Sequence, residues 1–298
     1  TVSFWMKADA LTVMSVVESK TYARRVAREK GIPTIPGAYQ PIKSAEELIS
    51  LLSRHGPLLI KPDAGGGGKG TRKITDPCQA AELFDAASRE ARLYFGNGDV
   101  YAERLLDRPR HVEVQILGDL QGMVIHLYER ECSLQRRFQK VIEETPSLIL
   151  TREQRAELVQ TAVKLAVALG YTNAGTFEFL YEEASRSFYF LEINKRLQVE
   201  HPVTEMTTGV DIVEQQLRIA SGEELAIRQE DVKQVGHSIE ARIYAEDPKS
   251  FLPSPGKITG LMVPESANVR IDHALEVGAA VPFYYDPLIA KVISWGSS

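Results

Sequence analysis

The run AGGGGKGTR, from Ala64 to Arg72, constrains this chain more than any other stretch. Its G-x-G-x-x-G spacing makes a dinucleotide site only when a helix follows the loop directly and turns its N-terminus toward a pyrophosphate. Here Leu58 to Lys61, before the loop, is predicted to be a short buried strand. Thr71 to Ile74, after it, is too short and polar for a buried helix and is predicted to be a second strand. A P-loop is excluded too, because Lys69 is followed by Gly70 rather than Ser or Thr, which leaves no hydroxyl for a metal. The pattern is strand, glycine loop, strand. A loop without Cβ atoms can fold down as a flap and point backbone N–H groups at phosphate oxygens. Lys61, one strand-length earlier, adds a point charge to the same phosphates. Taken alone, the run also fits a flexible linker.

Around the loop, helix and strand signals alternate. Ser19 caps a helix to about Lys30, where Gly31 stops it, and residues 32–43 form a linker. Ser44 to Glu47 is a capping box before a helix with Leu48, Leu51 and Leu52 on one face. Asp76-Pro77 opens a helix to roughly Arg92, and Val100 to Leu106 is a strand. From Arg110 to Gly118, Val112, Val114 and Ile116 alternate with Glu113 and Gln115, the period of a half-buried strand, which turns back into Met123 to Glu129. Thr151 to Gln154 is a second capping box, for a helix ending at Gly170. A hairpin follows, Thr176 to Tyr181 with Phe188 to Ile193, then one helix from Thr204 to Ser221, and a mostly β segment from His237 onward.

With 298 residues, 44% hydrophobic and 25% charged, the chain can bury a full core as one large domain or two. The 40 acidic against 35 basic residues give a net charge of -5, which repels a phosphate backbone, so no nucleic acid partner is expected. Cys78 and Cys132 lie far apart, with no Cys/His spacing around them that would suggest a disulfide framework or a structural zinc. Charged residues such as Lys164 interrupt every apolar run before it reaches the ~18 residues of a membrane span, and no membrane partner is expected. TVSFWMKADAL does not read as a secretory signal, and a reducing compartment is expected.

Three further constellations carry chemistry. Glu192 and Asn194, i and i+2 on a strand, share a face, and the hairpin turn brings Glu178 opposite them. Facing carboxylates repel unless a cation lies between them, which suits Mg²⁺ or Mn²⁺ completed by nucleotide phosphates and water; a pair of solvent-facing acids is the plainer alternative. The loop KRLQVEHPVTE, Lys195 to Glu205, holds Arg196, Gln198, Glu200 and His201 beside the proposed ligands. Arg196 could bind a small planar anion such as a carboxylate or bicarbonate, or the loop could simply lead into a helix capped by Thr204. CSLQRRFQK, Cys132 to Lys140, packs Arg136, Arg137 and Lys140 together, as a surface basic patch or an anion-binding wall; Cys132, with no base beside it, is predicted to be a buried small residue.

In this order, the glycine flap, the Glu178, Glu192 and Asn194 set, RLQVEHPVTEM, QRRFQKVIEE, FLPSPGKI and YYDPLIAK closely resemble the ATP-grasp and C-terminal regions of biotin carboxylase, from about Lys20 to the last residues. The resemblance implies an α/β (α+β) chain, an ATP-grasp fold followed by part of the family's β-rich C-terminal domain. It divides the chain into a lead-in with the first helix (1–31), a flap subdomain (32–107), a catalytic subdomain (108–236) and a partial C-terminal domain (237–298). The implied activity is ATP- and bicarbonate-dependent carboxylation of biotin on a biotin carboxyl carrier protein or domain, as part of an acyl-CoA, pyruvate or urea carboxylase with a carboxyltransferase component.

The implied cofactors are ATP, Mg²⁺ or Mn²⁺, and carrier-bound biotin. ATP would meet Lys20, Lys61, Gly67, Gly68, the hinge Glu103, Arg104, Leu105 and Leu106, then His111 and Gln135, with Glu178 and Glu192 toward its metal and Asn194 beside them. Bicarbonate would meet Lys140, Arg196, Gln198, Val199 and Glu200. Glu200 would deprotonate it, with Arg196 and Lys140 also catalytic, and Arg270 would lie near biotin. ATP activates bicarbonate as carboxyphosphate, and the metal and cations offset the repulsion of two anions; carboxyphosphate then gives CO₂ and phosphate, phosphate removes the ureido proton, and Arg196 stabilises the biotin enolate. Phe138 stands where the family usually has a histidine, and Lys195 where it usually has a small or neutral residue; on a strand Lys195 should point away from the metal. The resemblance also implies truncation at both ends, a homodimer at full length, and a cytoplasmic or, in a eukaryote, mitochondrial-matrix location. The alternatives are a nucleotide-binding module with little catalytic activity and another ATP-grasp ligase.

Overall fold

In the computed structural model, residues 20–63, 70–284 and 286–297 are described, without the side chains of Lys20 and Thr21. Ser19 and the flap glycines Gly67 and Gly68 lie outside the described residues, as does the side chain of Lys20. The helix α1 (Lys20–Glu29) places Ala23, Val26 and Ala27 at i, i+3 and i+4, one buried face. The linker after it has no helix, yet its carbonyls are strapped to strands on both sides: Pro33 accepts from the Phe190 amide (2.8 Å) and Pro36 from the Arg104 amide (2.7 Å). Gly37 is required there, since a Cβ would lie 2.2 Å from the Ala102 carbonyl oxygen.

A small antiparallel sheet follows, β1 (Leu58–Pro62), β2 (Arg72–Ile74) and β3 (Val100–Arg104), in the order β2-β1-β3. The helices α2 (Ala45–His55) and α3 (Ala80–Phe95) join it in one core, where Leu48, Leu51 and Leu52 meet Leu58, Ile60 and Ile74. Ser44 caps α2 by accepting from the Glu47 amide, but the Glu47 carboxylate reaches the Lys43 amide rather than closing the box on Ser44. Asp76-Pro77 opens a short 3₁₀ turn, and α3 then runs a turn past Arg92 before Gly96 in the left-handed region ends it.

The larger sheet has eight strands in the order β11-β13-β9-β6-β5-β4-β7-β8. They are β4 (Arg110–Gly118), β5 (Val124–Arg136), β6 (Gln139–Thr145), β7 (Asn173–Glu182), β8 (Ser187–Asn194), β9 (His237–Tyr244), β11 (Val269–His273) and β13 (Leu288–Gly296); β10 (Gly256–Lys257) and β12 (Ala280–Val281) pair separately. On one face Phe177, Phe179 and Phe190 pack with α1 and with α4 (Arg152–Ala168). Thr151 and Gln154 close both hydrogen bonds of the expected capping box.

Three expectations are corrected. Strand β5 does not stop at Glu129 but runs to Arg136 and folds into β6, with a tight turn whose residues Arg137 and Phe138 both have positive φ (51° and 65°). Strand β4 is not half-buried: Glu113 and Gln115 are as buried as Val112 and Val114, because the polar face of the sheet is covered too. The single helix expected from Thr204 is two, α5 (His201–Thr208) and α6 (Ile212–Ala220), since Gly209 takes a left-handed turn and Asp211 caps the second by accepting from the Glu214 amide at 2.8 Å. Thr204 therefore lies inside α5, and Glu200 occupies its N-cap position. No helix among the described residues is long and apolar enough to cross a membrane.

Candidate active site

Antiparallel pairing lays one row of charged side chains across four strands. Arg130 on β5 pairs with Glu113 on β4, Glu113 with Glu178 on β7, and Glu178 with Glu192 on β8. Next to that row, Gln115 pairs with Thr176 and Thr176 with Asn194. Since side chains alternate along a strand, His111, Glu113, Glu178, Glu192 and Asn194 all share one face. Arg130, fully buried, ties the row together: its guanidinium donates to Glu113 (2.7 Å), Gln115 (2.9 Å) and, on α5, Thr204 (3.0 Å).

Lys140 reaches the same face from β6 because of a bulge. Leu134 pairs with Ile142 but Gln135 with Lys140, so Val141 is extra and Lys140 comes onto the side that carries Glu143. Its ammonium contacts Glu113, Glu178 (3.1 Å) and Glu200 (2.6 Å). Burial alone would push that ammonium down, but the surrounding carboxylates outweigh burial and hold its pKa well above the ordinary lysine value. Burial would raise the Glu178 carboxyl, yet Lys140 and His111 hold it far below the usual carboxylate range. Gln135 donates to His111 Nδ1 at 2.9 Å, which leaves Nε2 to donate to Glu178 at 3.0 Å.

Beside this row a cavity of about 920 Å³ opens between the two sheets. Lys61 and the segment Glu103 to Leu106 line it from the small sheet. His111, Gln135, Lys140, Glu178, Glu192 and Asn194 line it from the large one, and Arg196, Gln198 and Val199 close one end. Arg196 is exposed and donates to the Gln198 side-chain oxygen (3.2 Å), while the buried Gln198 Nε2 has no hydrogen-bond partner among the described residues. An exposed guanidinium beside a buried, unsatisfied amide donor suits a small anion. Glu200, fully buried, accepts from Lys140 and from Arg242 Nη2 (2.8 Å). The Val199 carbonyl accepts from Lys291 at 2.6 Å.

At the other end Glu103 is gripped twice, by Arg24 at 3.1 Å and by Lys61. Arg24 also donates to the Ile35 carbonyl, which joins α1 and the linker to β3. Arg104 turns to Glu182 and the Tyr189 ring, and the Leu105 amide donates to the Pro57 carbonyl.

The oxygen donors on β7 and β8 fit a hard divalent cation. Glu178 and Glu192 stand directly opposite each other, and the Asn194 amide donates to Glu178 at 2.7 Å, keeping its own oxygen as a further donor. His111, Glu113 and Glu178 also lie close enough to form a metal-capable group. We favour the first set, because Glu178, Glu192 and Asn194 all line the cavity, whereas Glu113 does not.

Residues 19–228 match the family described as the carbamoyl-phosphate synthase L chain, ATP binding domain, and residues 240–298 match the biotin carboxylase C-terminal domain. The chain is 48% identical over 287 residues to the biotin carboxylase of Pseudomonas aeruginosa, covering 96% of this chain and 64% of that protein. The chain belongs to the biotin carboxylase family. Biotin carboxylase 2 of Bacillus subtilis is 46% identical with the same coverage, so the chain spans just under two thirds of the length of these relatives. The Campylobacter jejuni biotin carboxylase in complex with β,γ-ATP superposes with a TM-score of 0.93 at 45% identity, covering 96% of this chain and 64% of that one. The biotin carboxylase domain of Hydrogenobacter thermophilus 2-oxoglutarate carboxylase, a dimer with MgADP, ADP and bicarbonate, gives 0.92 at 46% identity, covering 96% and 63%.

Not every expected site residue faces the cleft. Arg270, on β11, is held by Glu205 (2.6 Å) and Asp272 (2.8 Å) and does not line the cavity. Lys195, expected to point away, follows the last residue of β8 and lines the cavity. The basic run does not form one patch: Arg136 pairs with Glu246, Arg137 sits exposed at the turn with Phe138, and of the three basic side chains Lys140 is the one that lines the cavity. Cys132 is buried, as expected, and burial raises its thiol pKa well above the ordinary value. Glu113, Arg130, Arg242 and Arg24 were missed; the one available signal was that Glu113 alternates with Val112 and Val114, on the side of the strand that sequence alone assigns to solvent.

Proposed function

We propose that this chain supports ATP- and bicarbonate-dependent carboxylation of biotin on a carrier protein or domain, through carboxyphosphate, within an acyl-CoA, pyruvate or urea carboxylase that works in the cytoplasm. The observation that carries this is the anion pocket of Arg196 and Gln198 beside Lys140 and Glu200, at the end of a cleft whose other end is the Glu103 to Leu106 hinge. Its similarity to proteins solved with β,γ-ATP and with MgADP and bicarbonate supports the same assignment.

In this mechanism Arg196 and the Gln198 amide hold bicarbonate, and Glu200 takes its proton while Lys140 holds Glu200 in place. Lys61 exchanges Glu103 for nucleotide phosphate, and Arg24 remains on Glu103 so that the buried carboxylate keeps a cation. Glu178, Glu192 and Asn194 would hold the divalent cation, which supplies neutralisation of the triphosphate charge. The division into a flap subdomain (32–107), a catalytic subdomain (108–236) and a partial C-terminal domain (237–298) belongs to the same proposal, as do Lys20, Gly67 and Gly68 at the phosphates, Arg270 near biotin, the carboxyltransferase partner and a homodimer. ADP release measured with and without bicarbonate and free biotin tests the activity: it should require both, and turnover indifferent to biotin would overturn the assignment.

A second assignment, a nucleotide-binding module without turnover, is favoured by Phe138, which lines the cleft 64% exposed where a polar contact is expected. Calorimetry separates the two: tight MgATP binding with no turnover in bicarbonate and biotin supports the module.

A further inference from the structure

Behind Glu200, away from the cleft, lies a second pair of acids that the mechanism above does not use. Glu143 on β6 and Glu240 on β9 are directly paired across neighbouring strands, and both are fully buried. Glu143 accepts from Arg242 at 2.6 Å, and the same guanidinium donates to Glu200 at 2.8 Å. Neither oxygen of Glu240 has a hydrogen-bond partner among the described residues, nor does Glu143 Oε2.

Two carboxylates in such a place cannot both be ionised, since each loses its hydration and faces the other's charge. The titratable and charged groups around them are Arg242 and Tyr244 on β9, Lys291 on β13, Lys140 on β6, and Glu200 at the start of α5. Lys291 is already engaged by the Val199 carbonyl and by Asp272 at 3.4 Å, and Lys140 by Glu113, Glu178 and Glu200. Arg242 is thus the cation that touches the pair, and it touches only Glu143.

We propose that Glu143 and Glu240 share one proton, carried on Glu240, so that Glu143 is free to grip Arg242 and Arg242 holds Glu200 in place for its work as the base. This makes Glu143 and Glu240 positioning residues that act through Arg242, which itself lines the cavity, and the tie to catalysis rests on the role given to Glu200 under the proposed function. Burial, opposed by Arg242, leaves Glu143 at about 7, and burial opposed by Lys291 leaves Glu240 at about 8. Once the proton is lost, the added negative charge draws on Arg242 and weakens its hold on Glu200. Turnover then falls at alkaline pH.

The test uses the whole chain and its Glu240→Gln variant, in which the amide imitates a neutral carboxyl. Infrared spectra of the wild type at neutral pH should show a buried carboxylic-acid C=O band that fades as the pH is raised and is missing in Glu240→Gln. In bicarbonate-dependent ATP turnover, the variant should stay within about threefold of the wild type at neutral pH, with its alkaline decline moved up by about one pH unit or more. Absence of the wild-type band overturns the shared proton, and an unshifted alkaline limb overturns the link to Glu200. If Glu240→Gln does not fold, the presence or absence of the titrating wild-type band still decides. A titrating band in a chain without bicarbonate-dependent turnover supports the shared proton and overturns the assignment of Glu200 as base.

Discussion

Lys140 is the residue on which most of the site's charge depends. Three carboxylates surround its ammonium in a place with little water, and its removal strands them. Breaking a buried pair from one side costs roughly 3–5 kcal/mol, more than the pair contributes by existing, because the orphaned charge stays buried. Lys140→Met should lower the urea midpoint accordingly, and adding Glu113→Gln should recover part of the loss. Additive losses in the double variant would show that the two residues are not coupled. Phe138 belongs to this scale as well: Phe138→His should tighten MgATP binding in calorimetry if a polar contact at the turn is what the cleft lacks, and unchanged affinity would make the phenylalanine neutral. The sequence pointed to Lys140 within a basic run, but not to its three partners, since Val141 had to bulge before Lys140 could face them.

Among the elements, those with local signals were legible and those shaped by tertiary packing were not. Thr151 and Gln154 close their capping box as expected, because the whole motif lies within four residues. Thr151→Ala should cost about 1 kcal/mol in chemical denaturation; no change would mean that packing of α4 on the sheet, not its cap, fixes where the helix begins. The Glu178, Glu192 and Asn194 face also followed from alternation and a hairpin. The β5–β6 hairpin did not, because a turn made by Arg137 and Phe138 carries none of the glycine or asparagine that usually marks positive φ. Nor was the break at Gly209 anticipated, although Gly209 followed by the Asp211 cap is in hindsight a stop and a start.

For the molecule as a whole, the buried ionisable groups pull stability in opposite directions as the pH changes. His126, buried, is pushed down to about 4, so the folded chain resists its protonation and loses stability as the pH falls below the ordinary histidine value. On the other side, the pair of Glu143, at about 7, and Glu240, at about 8, holds a proton in the folded chain that the unfolded chain has already released. Stability therefore declines as the pH rises toward about 8 and levels off above it. Thermal unfolding followed from pH 6.5 to 8.5 should show a falling midpoint that Glu240→Gln flattens; a midpoint that rises across that range would contradict the assignment. The sequence by itself determined the strand–glycine–strand order, the capped helices, and the family to which the chain belongs, because each of these is written in neighbouring residues or in motifs of fixed spacing. Only the tertiary structure decided which acids share a cation, that the polar face of β4 is buried, and that Arg270 pairs with Glu205 and Asp272, because those outcomes depend on strand register and on what covers a face, which no local pattern records.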